Sequence, residues 1–177
     1  HPDITVSIHA NNDMDESSVA EHDFGILYGA GHWSSLAAVS LFAEMVYPIV
    51  SRRLELPVVK ELAQLAELPL IQLDASEWNC IDWRDWFHHF GLDYSAPPGA
   101  LGFNQLTLMF SAVQQGMGVG LGWDFMASQL VAQGELLRVG EWAFRTGQAD
   151  FLVHPRHKRL SASGQLFRDW LVAQAAE

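Results

Sequence analysis

Few residues of this chain have the type and spacing that covalent catalysis requires. A nucleophile needs an adjacent base and an orienting group, and Cys80, the only cysteine, has no basic neighbour in sequence. Ser34 and Ser35 follow Trp33, but no G-x-S-x-G elbow surrounds them. His88 and His89 are adjacent and diverge on a helix, and His154 and His157 flank a proline. Neither pair has metal-ligand spacing, and no H-E-x-x-H occurs. Asp82, Asp85 and Asp93 spread along a solvent face rather than pairing across a cleft. The sequence therefore implies no catalytic residues, no metal and no cofactor. An enzyme is the least supported class.

The residues that remain suit non-covalent recognition. Seven tryptophans stand in 177 residues. Trp83, Trp86 and Trp170 fall on helical apolar stripes and are expected in the core. Trp33, Trp78 and Trp123 fall instead at strand-to-loop or strand-to-helix junctions, and each either lines a ligand cleft or packs. The loop Tyr28-Gly29-Ala30-Gly31-His32-Trp33 follows a short apolar strand, where open α/β sheets place their ligands. It lacks the lysine and spacing of a phosphate loop. Ser76 and Trp78 lie in a second loop beyond a strand. Asn104 and Gln105 open a helix, where an amide side chain and unpaired backbone N–H groups suit a carboxylate; the alternative is an ordinary cap. The candidate binding set is thus Tyr28, Gly29, Trp33, Ser34, Ser76, Trp78, Asn104, Gln105 and Trp123. Aromatic walls and few cations favour a small zwitterionic or amino-acid-like ligand, with its cationic or apolar part against Trp33 or Trp78.

The elements that must hold these residues can be read in order. Ile4, Val6 and Ile8 alternate with polar residues as in a half-buried strand. Residues 11–21 are a polar, acidic loop. Phe24 to Leu27 form a continuous apolar strand, as in a parallel sheet covered on both faces. Val39–Phe42 and Met45–Val50 are two strand segments interrupted at Ala43-Glu44. Val59–Leu68 is a short helix ended by Pro69, and Leu70, Ile71 and Leu73 form the next strand. Ile81–Phe90 is a helix with Trp83, Trp86, Phe87 and Phe90 on one face. From Asn104, its expected N-cap, a helix presents Leu106, Met109, Phe110 and Val113, and Gly116 stops it. Val119 and Leu121 then alternate with Gly118, Gly120 and Gly122, a strand that another backbone can approach closely. Helix Trp123–Gln133, strand Leu136–Val139, strand Phe151–Val153 and helix Ser161–Ala175 complete the chain. Strands alternate with helices, so the class is α/β with mostly parallel sheets.

Composition narrows the partners. The net charge of −11 argues against nucleic acid as a direct partner of this chain. Its one basic run, His154-Pro155-Arg156-His157-Lys158-Arg159, reads as a solvated edge. The apolar fraction of 49% supports a real core, yet no run approaches a membrane span. A single cysteine and no basic, apolar leader suggest a reducing, cytoplasmic setting.

Four stretches carry a family resemblance. FNQLTLMFSAVQQGMGVGLGW, HPDITVSI, DFGILYG and SASGQLFRDWL resemble, in family order, the effector-binding domain of LysR-type transcriptional regulators. The subgroup resembled contains glycine-cleavage activators and β-lactamase regulators. The resemblance implies two Rossmann-like lobes with a central cleft, of the periplasmic-binding-protein type 2 kind. Lobe I would be 1–45 plus 140–177 and lobe II 46–139. It further implies a small-molecule effector bound between the lobes, self-association as a dimer or tetramer, and DNA contact only through an N-terminal winged helix-turn-helix absent from this chain. The family's first strand, helix and loop of lobe I are also absent from it. The alternative class is an extracytoplasmic solute-binding protein of a transport system.

Overall fold

The computed structural model describes residues 3–10, 16–74 and 80–175. The chain divides into two compact units, His1–Glu44 with Thr146–Glu177, and Met45–Arg145. It passes between them along two long strands, β2 (Leu36–Ser51) and β7 (Phe144–Pro155).

The first unit contains a single 3-10 turn (Ser18–Glu21), strand β1 (Gly25–Gly29), the outer parts of β2 and β7, and helix α5 (Ala162–Ala175). β1 lies antiparallel to β7, with Gly25 opposite Val153 and Gly29 opposite Ala149. Val19, Leu27, Leu36 and Val153 make its core, with Trp33 and Phe151 packed alongside.

The second unit contains α1 (Leu62–Ala66), β3 (Gln72–Leu73), α2 (Trp83–His89), β4 (Gly102–Phe103), α3 (Leu106–Gln114), β5 (Gly120–Trp123), α4 (Asp124–Ala132) and β6 (Leu136–Arg138). β3 and β4 are parallel, and a parallel bridge joins Leu70 to Val119. β5 and β6 both pair antiparallel with β2. Residues 118–123 therefore pass from a parallel partner to an antiparallel one within one stretch. The core is much larger here. Trp83, Trp86, Phe87, Met109, Val113 and Leu121 are all at most 2% exposed.

Several sequence expectations need correction. The sheets are mixed rather than mostly parallel: among the described residues parallel pairing is seen at 70–73, 102–103 and 119, while β2 and β7 accept antiparallel neighbours. β1 is accordingly buried on one face only. The two segments expected on either side of Ala43-Glu44 are one strand of 16 residues. An acid can continue that strand because its carboxylate is hydrogen-bonded where it is buried. Residues 4–10 form no strand, and Val6 and Ile8 are 52% and 87% exposed. Alternation specifies a strand only where a neighbour completes the ladder, and none does so among the described residues. Trp170 is 55% exposed rather than in the core: α5 meets Phe24 through Phe167 and buries no residue fully. Helix α3 is capped at Gln105 rather than Asn104, one position later than expected.

The glycine strand is as tight as its pattern suggests. A Cβ on Gly120 would come within 2.5 Å of Val113 Cγ2 and 2.8 Å of Met109 Sδ, both on α3. One on Gly118 would strike the carbonyl oxygen of Pro69, which already accepts the amide of Val119. We expect Gly120→Val to overpack the contact with α3 and to cost roughly 1–3 kcal/mol. Gly118→Ala should cost a similar amount, because backbone must move to admit the methyl group. Chemical denaturation of each variant measures this, and an unchanged midpoint would contradict the close approach.

Candidate functional site

In the first unit the candidate loop is tied down where it enters β2. Glu16 accepts hydrogen bonds from the Ser35 amide at 2.7 Å and the Ser35 hydroxyl at 2.8 Å. The Arg156 guanidinium donates to the Leu36 carbonyl oxygen at 2.8 Å, and the Arg156 amide donates to that of Ser35 at 2.8 Å. Lys158 pairs with Asp23 at 3.1 Å. The basic run is thus partly used to hold this loop against β7 and is not wholly solvated.

Within the loop, Trp33 lies edge-on to Phe151 with ring centroids 5.5 Å apart. Its ring also crosses Gly29, where an added Cβ would lie 3.4 Å from Trp33 Cζ2. Trp33 therefore contributes to the core while keeping part of its surface open. Tyr28 is 38% exposed, and its hydroxyl donates to Glu44 Oε2 at 2.6 Å. Ser34 is exposed. The structure brings Tyr28, Gly29, Trp33 and Ser34 onto one loop and strand end.

In the second unit Asn104 and Gln105 are both exposed at the start of α3, directly after β4. No side chain caps this helix, so its first amides face outward without a protein acceptor from the cap residue. Trp123 is different in kind. It is 4% exposed and belongs to the core, where β5 passes into α4. Ser76 and Trp78 lie outside the described residues.

The electrostatics single out two further groups. Glu44 is 6% exposed and accepts from Tyr28 and also from the Thr146 hydroxyl, at 2.6 Å. Burial first, and the charge of Glu44 second, raise the Asp150 carboxyl above the usual carboxylate range. Sequence reading took Glu44 as a break in a strand. An acid inside an apolar strand run is itself a signal of a buried, satisfied carboxylate. In the second unit, burial and then the hydrogen bond to Asp124 push the Tyr47 phenol well above its ordinary value. The Arg138 guanidinium covers its ring at 4.1 Å, a cation–π contact. Among the described residues no group of three or more His, Cys, Asp or Glu could hold a metal ion, and no helix is long and apolar enough to cross a membrane.

Comparison with known proteins places this architecture. The family described as the LysR substrate binding domain matches residues 1–176. The glycine cleavage system transcriptional activator of Escherichia coli (strain K12) is 29% identical over 99% of this chain and 57% of its own length. The transcriptional activator AmpR of Citrobacter koseri is 26% identical over 99% of this chain and 59% of its own. The chain thus spans under two thirds of the length of these relatives. Among solved structures, the effector domain of AmpR from Pseudomonas aeruginosa superposes with a TM-score of 0.73 at 24% identity, covering 99% of this chain and 83% of that one. The effector binding domain of AmpR from Citrobacter freundii superposes with a TM-score of 0.72 at 20% identity, covering 99% and 85%. The fold is that of LysR effector-binding domains, the periplasmic-binding-protein type 2 kind, and the chain belongs to the LysR substrate-binding-domain family.

Proposed function

We propose that this chain is the effector-sensing part of a transcriptional regulator, binding a small metabolite and passing its response to a DNA-binding region. The observation that carries the reading is the family match along residues 1–176, together with relatives that are transcriptional activators. The relatives named above do not favour the solute-binding alternative. The net charge of −11 supports DNA contact through another region rather than through this one. A cytoplasmic location and the lack of turnover belong to the same reading.

A ligand can act on such a chain only through a difference in affinity between conformations. We assign effector contacts to two sets of residues, each taken within its own unit. In the first unit they are Tyr28, Gly29, Trp33 and Ser34, on a loop held by Glu16 and Arg156. In the second they are Asn104 and Gln105, where the uncapped amides of α3 suit a carboxylate. Ser76 and Trp78 join the second set on sequence grounds. Trp123 serves as a support for β5 rather than as a contact. The chemistry offered is that of a small zwitterion. The α3 amides suit a carboxylate, and the Trp33 face suits a cationic or apolar group.

Two outcomes are expected. A calorimetric or thermal-shift screen of amino acids and betaines should yield a binder, and Trp33→Ala or Asn104→Ala, each within its own unit, should weaken it by on the order of tenfold. If a binder keeps its affinity in both variants while they remain folded, the assigned contacts are wrong. Self-association is expected as well, as the family resemblance implies. Sedimentation should show a concentration-dependent rise in mass. A strict monomer, both for this chain and for one extended at its N-terminus, would refute it.

A further inference from the structure

Glu44 is the last residue of the first unit before β2 continues into the second, and Thr146 is the first residue of that unit on the returning β7. One carboxylate oxygen, Glu44 Oε2, accepts the hydroxyls of both Thr146 and Tyr28, each at 2.6 Å. Three strands of the first unit therefore meet at one buried oxygen, beside both points where the chain crosses.

The local backbone of β7 is shaped around this contact. The Thr146 hydroxyl that donates to Glu44 also accepts the amide of Gln148 at 3.1 Å. Gly147 between them has φ +81°, in the left-handed region that glycine enters cheaply. β7 is thus kinked at 146–148, and the kink is held by a side chain that itself leans on Glu44. Asp150, two residues further on, sits directly opposite Tyr28 in the β1–β7 register.

We propose that Glu44 is a latch on the two strands that carry the chain out of and back into the first unit, and that the charge on Asp150 sets how tightly the latch holds. A hydrogen bond to a charged acceptor is among the stronger ones available, and an unsatisfied buried carboxylate is costly. Opening the latch is opposed by both facts. Working against them is the second carboxylate. Glu44 is the charge that acts on Asp150, and Tyr28 is the titratable group facing both from β1.

The direction with pH follows. The Asp150 carboxyl is raised in the folded chain, by burial first and Glu44 second. A raised acid binds its proton more tightly in the closed state than in an open one. Ionisation of Asp150 therefore weakens the closed state, and the penalty is relieved as pH falls through its folded value. Protonation of Asp150 tightens the latch; its ionisation loosens it.

Hydrogen exchange on the full chain tests this. The probe is the Gln148 amide with its neighbours 147–150, and amides of α3 serve as the reference. Glu44→Ala should speed local opening at Gln148 by on the order of tenfold. Glu44→Gln should do so much less, because its amide oxygen still accepts both hydroxyls. Tyr28→Phe, which removes one donor on another strand, should speed Gln148 by a smaller factor, and it carries the test if Glu44→Ala does not fold. In the unsubstituted chain, opening corrected for intrinsic exchange should slow as pH falls through the raised Asp150 range. Asp150→Asn should be slow throughout that range. The latch is overturned if Tyr28→Phe, with Glu44→Ala where it folds, leaves Gln148 unchanged. The role given to Asp150 is overturned if Asp150→Asn keeps the pH dependence of the unsubstituted chain.

Discussion

Two indole N–H groups decide how the second unit closes. Helix α2 places Trp83 and Trp86 in the core, at 1% and 0% exposure, and each carries a polar atom that water cannot reach. A buried donor without a partner costs on the order of 1–3 kcal/mol, so each must find an acceptor. Trp83 Nε1 donates to the Ile71 carbonyl oxygen at 2.9 Å, and Trp86 Nε1 to that of Val46 at 3.0 Å. One helix is thereby pinned to two strands, one beside the parallel pair β3–β4 and one on β2. The hydrophobic effect would hold α2 somewhere on this surface; the two indoles fix where. Phe87, Phe90 and Tyr94 then fill around them, with Phe87 stacked on Trp83 at 5.4 Å. The start of α2 is set independently, since Asp82 accepts the amide of Asp85 at 2.8 Å.

From that anchor the requirements on 118–123 follow. Val119 exchanges hydrogen bonds with Pro69 and Ile71 on one side, and β5 pairs with β2 directly afterwards. Helix α3 lies over the same residues through Met109 and Val113. Three neighbours compete for one short strand, and only a residue without a side chain lets all three approach. This is why a run of alternating glycines was the most informative stretch of the sequence. It encodes a close approach by what is missing: an added Cβ would strike backbone at Gly118 and the side chains of Val113 and Met109 at Gly120.

Legibility divides along the same physical line. The buried stripe of α2, the Met109–Val113 face and the glycine strand were readable because their periodicity reports a local geometry with one solution. The strand expected at Ile4–Ile8 was misread because alternation describes a strand's two faces but not its neighbour. Trp170 was misread for the corresponding reason in a helix: an apolar stripe states what can be buried, and burial needs a covering surface. The paired strand segments around Glu44 failed differently. Sequence shows the acid but not its two hydroxyl donors, which lie 16 and 102 residues away. Of the binding candidates, the loop Tyr28–Ser34 and the start of α3 were placed by the rule that ligands gather beyond strand ends. Trp123 met the same rule, yet it is enclosed because β5 is covered on both sides.

The two units are held together by different means, and this bears on what each can do. The second has a continuous apolar core with indole anchors, an arrangement in which alternative packings are disfavoured. The first has a small apolar cluster of Val19, Leu27, Leu36 and Val153 and relies on polar ties: Glu16 to Ser35, Arg156 to Leu36, and Glu44 to Tyr28 and Thr146. Polar ties respond to charge and to competing ligands in a way that packed hydrocarbon does not. The candidate loop hangs from two of them, and Tyr28 belongs both to that loop and to the Glu44 network. A ligand that engaged Tyr28 would therefore compete with, or reinforce, a hydrogen bond to the residue from which β2 leaves the unit. Recognition at the loop and geometry at the crossing strand share one hydroxyl group.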